Sequence, residues 1–174
     1  MSFVRLKQVK SAFEKYKQRI MAPEQKIIGF FSRDLYPFYQ QKQFERWKSE
    51  GESEGSSFSF PEPKPATVKR KMSDKERKPN QYPGGRKKLV HSGTLATSVI
   101  GPLEGSGLSA RGKKYHRREI TNQKMKVMTT TPYASHVVDY LKQHGRRSYM
   151  EFGRRSQSEF KERIANFLRK EFVR

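Results

Sequence analysis

The sequence predicts an α+β subunit: N-terminal helices, a small and mostly antiparallel β-sheet, a helix after the sheet, a C-terminal amphipathic helix, and a long extended arm or loop. Three observations carry this expectation. Apolar residues recur at helical spacing near both ends of the chain. Two short segments around Asn122-Gln123 read as extended strands, and residues 61–88 hold too few apolar side chains to build a core. At 174 residues, one domain overall is expected. It divides into N-terminal helices (1–35), an extended basic arm or insertion (36–88) and an α+β core with the C-terminal helix (89–174).

Residues 3–21 carry Leu6, Val9, Phe13, Tyr16 and Ile20 at three- and four-residue intervals, the stripe of an amphipathic helix. Pro23 suits the first turn of a second helix with Ile27, Ile28, Phe31 and Leu35 on one face, and Pro37 is expected to end or kink it. From Tyr36 to Trp47 aromatics stand among polar residues, and Glu50 to Ser57 has the composition of a linker. Glu50, Glu52 and Glu54 make an acidic cluster that a neighbouring basic subunit could meet. The stretch from Leu89 to Val99 is an uncharged island that reads as a turn, a short helical step and the start of a strand around Ser98-Val99-Ile100. Residues 116–121 and 124–131 form the strand pair, with Met125 and Val127 alternating against lysines. Pro132 opens a helix that buries Ala134, Val137, Val138 and Leu141 and stops near Gly145. In the last helix Ser156 and Glu159 suggest a capping box ahead of Phe160, Ile164, Phe167, Leu168 and Phe172.

Charge bounds the partners. Thirty-eight Lys and Arg against seventeen Asp and Glu leave a formal charge of +21. Self-repulsion on that scale favours nucleic acid or acidic protein neighbours. The cations nominated for DNA are Arg111, Lys113, Lys114, Arg117 and Arg118. Those nominated for the arm or an interface are Lys69, Arg70, Lys71, Arg86, Lys87 and Lys88, together with Trp47. With no cysteine and no regular His spacing, neither a disulfide, a metal site nor a cofactor is expected. No phosphate-binding loop, nucleophile elbow or carboxylate cluster stands in the chain, so the expectation is not an enzyme. Neither a membrane-length apolar run nor a secretory leader is visible, and the protein is expected to stay where it is made.

Three motifs follow in order: the arm Pro65-Ala66-Thr67-Val68-Lys69-Arg70-Lys71 with the module Leu89-Val90-His91-Ser92-Gly93-Thr94-Leu95-Ala96-Thr97-Ser98-Val99, then Thr131-Pro132-Tyr133-Ala134-Ser135-His136-Val137, then Arg146-Arg147-Ser148-Tyr149-Met150-Glu151-Phe152-Gly153 leading into the terminal helix. In order and spacing this region, residues 65–172, resembles the virion-morphogenesis family of tailed bacteriophages, the tail-completion or head–tail joining proteins of the neck. The resemblance implies a structural subunit of a ring, a hexamer, in the virion at the head–tail interface, assembled in the host cytoplasm. Its partners would be the head connector or adaptor and the tail terminator or tail-tube proteins, with DNA passing through the channel. Leu89, Gly93, Leu95, Val99, Pro132, Tyr133 and Ala134 are then expected to build the fold. Gly93 permits a positive φ at the junction. The alternative reading is a basic cellular nucleic-acid-binding, RNA-binding accessory protein that stacks bases on Trp47 or Tyr82.

Overall fold

The computed structural model describes residues 23–77, 93–103 and 110–172. The expected helix at 3–21 and the positions Tyr82, Arg86, Lys87, Lys88 and Leu89 lie outside them. The chain is α+β: six helices and one two-stranded antiparallel sheet among the described residues.

One continuous helix comes first. Residues 23–30 form α1, the turn Phe31–Leu35 is π-helical, and α2 (Tyr36–Lys48) follows without a break. Of the two outcomes expected at Pro37, an end or a kink, the end does not occur: the helix runs on through it, with the π turn just ahead. Proline lacks an N–H and crowds the carbonyl four residues back. The π turn, closed by the Tyr36 N–H on the Phe31 carbonyl, widens the backbone just ahead and leaves Pro37 in the first turn of α2, where no donor is missed. Leu35, Tyr36, Phe38 and Tyr39 are buried there.

The extended arm is overturned for residues 36–77. After α2 come two 3₁₀ turns, Glu52–Glu54 and Ser56–Phe58, and then α3 (Pro65–Arg77). Trp47, Phe58 and Phe60 of this region are core residues. The misleading signal was polar spacing: Gln43 and Arg46 interrupt the aromatics of α2, yet both have 0% exposure. Arg46 is held by carbonyls. Its guanidinium donates to Ser148 O and Tyr149 O, each at 2.9 Å, and to Glu151 O. Such partners allow a charged fork inside a core.

Residues 94–100 are helical throughout (α4, Thr94–Ile100), which corrects the strand expected from Ser98 onward. Burial of the whole segment from Leu95 to Ile100 outweighs the β preference of Val99 and Ile100. Thr97 and Ser98 turn their hydroxyls back on the helix, donating to Gly93 O at 3.0 Å and Leu95 O at 2.8 Å. Gly93 takes φ 74° ahead of α4, the positive value expected of it.

β1 (His116–Ile120) pairs with β2 (Met125–Thr129), with Arg118 opposite Val127 and Ile120 opposite Met125. The bend at Asn122-Gln123 joins them as the sequence predicts. Helix α5 (Ala134–Gln143) follows Pro132 and buries Leu141 fully. Helix α6 (Arg154–Phe172) lies along α1 and α2 through Phe30 on Phe167, Phe38 on Phe160 and the Lys42–Glu159 ion pair at 2.6 Å. The core gathers Trp47, Phe60, Leu95, Val99, Ile100, Leu141 and Tyr149, side chains from both of the segments assigned from sequence as arm and core.

The capping box of α6 is also different. Ser156 lies inside the helix and donates to Glu54 Oε1 at 2.6 Å, while the Gly153 N–H donates to Glu54 Oε2 at 2.6 Å. A distant carboxylate thus satisfies the α6 N-terminus, where negative charge is favoured. Part of the acidic cluster is used within the chain.

Candidate nucleic-acid interface

No Asp or Glu occurs between Glu104 and Glu119, a stretch holding Arg111, Lys113, Lys114, Arg117 and Arg118. The first three sit on a 3₁₀ turn, Ala110–Tyr115, and the last two on β1. Gly112 is what seats this turn. A Cβ there would overlap Thr94 O and the Thr97 side chain of α4, so only glycine permits the approach. The turn then continues directly into β1, and Thr130 N–H donates to Tyr115 O to tie it to the far strand.

The five cations do not share one surface. Arg111, Lys113 and Lys114 line an open groove of about 730 Å³ with Thr94, Tyr115, Pro132 and Tyr133. Lys114 Nζ lies 4.9 Å from the centre of the Tyr115 ring. Arg117 reaches back over the same turn and donates to Lys114 O at 2.8 Å and His116 O at 3.0 Å. Arg118, the next residue on the strand, points to the other side of the sheet, as alternation requires. Its guanidinium carbon stands 4.2 Å from the centre of the Tyr36 ring. That places Arg118 as a structural stacking residue against α2 and removes it from the groove set.

His116 binds the same junction from both ring nitrogens. Nδ1 lies 3.0 Å from Ser98 O, so it carries the proton, and the Tyr36 hydroxyl, 2.9 Å from Nε2, donates to it. Burial pushes the imidazole below its ordinary value, Arg118 and Arg117 add to the shift, and the Ser98 carbonyl opposes it. Burial likewise raises the Tyr36 hydroxyl, against the pull of Arg118. Beneath this, the hydroxyls of Thr129 and Thr131 both donate to Ser98 Oγ, at 2.7 and 2.8 Å. With the His116 ring turned to the Ser98 carbonyl and its hydroxyl donated to Leu95, this trio ties α4 to β2.

The arm candidates fare differently. Trp47 is 3% exposed and packed between Phe60 and Tyr149, so it offers no stacking surface. Lys71 is buried and its ammonium pKa pushed down by that burial, whereas Lys69 and Arg70 are exposed on α3. Of the fold-motif residues, Leu95 and Val99 are core and Ala134 packs against it, while Pro132 and Tyr133 are exposed on the groove. Sequence reading missed Arg46, Glu54, Tyr36, Ser98 and Gly112. Only the Glu54 cluster left a trace in composition; the others depend on contacts between residues far apart in the chain, up to 105 positions for Arg46 and Glu151.

Among the described residues no three His, Asp or Glu side chains converge as a metal site needs, and no helix is long and apolar enough to cross a membrane. Comparison with protein-family models, curated proteins and solved structures returned no match.

Proposed function

We propose that the chain is a structural virion protein of a tailed phage, a subunit of a ring, a hexamer, at the head–tail junction that joins the head connector to the tail and lets DNA pass. One observation supports this most. The segments that follow one another as the three sequence motifs converge on a single core, through Leu95 and Val99, Ala134, and Tyr149. Their residues therefore make a fold rather than a pocket for chemistry, as a subunit acting through its surfaces requires. A ring closes through heterologous contacts between different faces of identical subunits.

The cellular RNA-binding alternative relied on Trp47 or Tyr82 as a stacking platform, and Trp47 is enclosed. The test is native mass spectrometry with negative-stain imaging of the protein, alone and co-expressed with the proteins encoded beside it. A closed ring is expected. Monomers that persist in both preparations overturn the reading.

A further inference from the structure

We propose that the groove between the 3₁₀ turn Ala110–Tyr115 and the Pro132-Tyr133 turn is a phosphodiester-binding site that holds the backbone of double-stranded DNA. The proposal rests on the ring reading and deepens it by naming where the chain touches the nucleic acid.

Three features point there rather than to the charge of the surface at large. Lys113 and Lys114 are exposed and adjacent, on a turn held rigid against α4 by the close approach at Gly112. Arg117 is already oriented over that turn by the carbonyls of Lys114 and His116, so ordering its long side chain on a phosphate costs less entropy. Several cations elsewhere are met by acids: Lys42 pairs with Glu159, Lys26 with Glu171 and Lys124 with Glu119. Lys113 and Lys114 in the groove, and Arg117 over the turn that carries them, have no such carboxylate among the described residues, and residues 105–118 contain none. Tyr115 and Tyr133 add apolar faces and hydroxyl groups to the groove, fit for sugar and phosphate contacts that carry no sequence information.

Because a chain of charge +21 binds DNA loosely everywhere, the test must compare sites at equal charge. Fluorescence anisotropy with a labelled DNA duplex is measured across a salt series. The groove variant is K113Q/K114Q/R117Q, and the control K48Q/K161Q/R169Q removes as much charge from α2 and α6. The groove variant is expected to lose at least about tenfold in affinity. Its salt slope should fall by about 0.9 for each phosphate contact removed, with little change in the control. K113R/K114R should bind as the unaltered protein does. Equal losses in groove variant and control overturn the site, as does competition by polyglutamate of matched charge as effective as by DNA. Oligomeric state, read on the same samples by native mass spectrometry, separates the two proposals. Rings with an indifferent groove retain the ring reading and refute the site. Groove-dependent binding by a persistent monomer retains the site and refutes the ring.

Discussion

Arg46 is a single charge that donates to three backbone carbonyls. Burial pushes its pKa down to about 10, with Glu54 and Glu151 opposing, and it remains charged at neutral pH. Replacing it by Met leaves the buried Tyr149 carbonyl and the part-buried Glu151 carbonyl without their donor, while Ser148 O keeps the Glu151 N–H. R46M is expected to lose roughly 2 kcal/mol or more in urea denaturation, since each of the two unsatisfied groups costs about 1–3 kcal/mol. A loss below about 1 kcal/mol contradicts that role. His116 makes a prediction in pH. Its folded pKa lies below the ordinary 6.5, so the fold binds fewer protons there than the unfolded chain. The stabilisation is therefore complete above pH 6.5 and is lost as pH falls through the folded value. Thermal melts of the unaltered protein should decline from about pH 7 to about pH 5, and H116Q should show a smaller decline over that interval.

Among the elements, the 3₁₀ turn sits directly against α4 at Gly112. G112A forces a Cβ into Thr94 O and the Thr97 side chain, so the turn must lift from α4. The expected result is a lower melting temperature together with weaker duplex binding, because Lys113 and Lys114 ride on that turn. Full DNA affinity in G112A would show that the turn needs no seating. The hairpin, α5 and α6 were readable as elements because their apolar residues keep one period over the whole segment. α4 was read wrongly at Ser98-Val99-Ile100, where local β preference and complete burial point in opposite directions and burial prevails. α2 was missed because its polar residues are inside, a pattern indistinguishable in sequence from a solvated linker.

At the scale of the molecule, a charge of +21 on a core this small has two outlets, acidic neighbours or phosphate. The described acids are largely spoken for within the chain: Glu54 caps α6, and Glu119, Glu159 and Glu171 have their pKa lowered, first by hydrogen bonds from Lys124, Lys42 and Lys26. On the two proposals above the basic excess serves partners, and the ring and duplex experiments divide it between protein and DNA. Composition, periodicity and motif order were enough for the α+β class, the strand pair, the two last helices and the cationic stretch from Arg111 to Arg118, because these are properties of neighbouring residues. Which of those cations share a groove, why Arg118 leaves them for Tyr36, and how Glu54 and Arg46 close the fold depend on contacts between residues far apart in the chain. Such contacts exist only once burial has brought the segments together, and nothing in the local pattern encodes them.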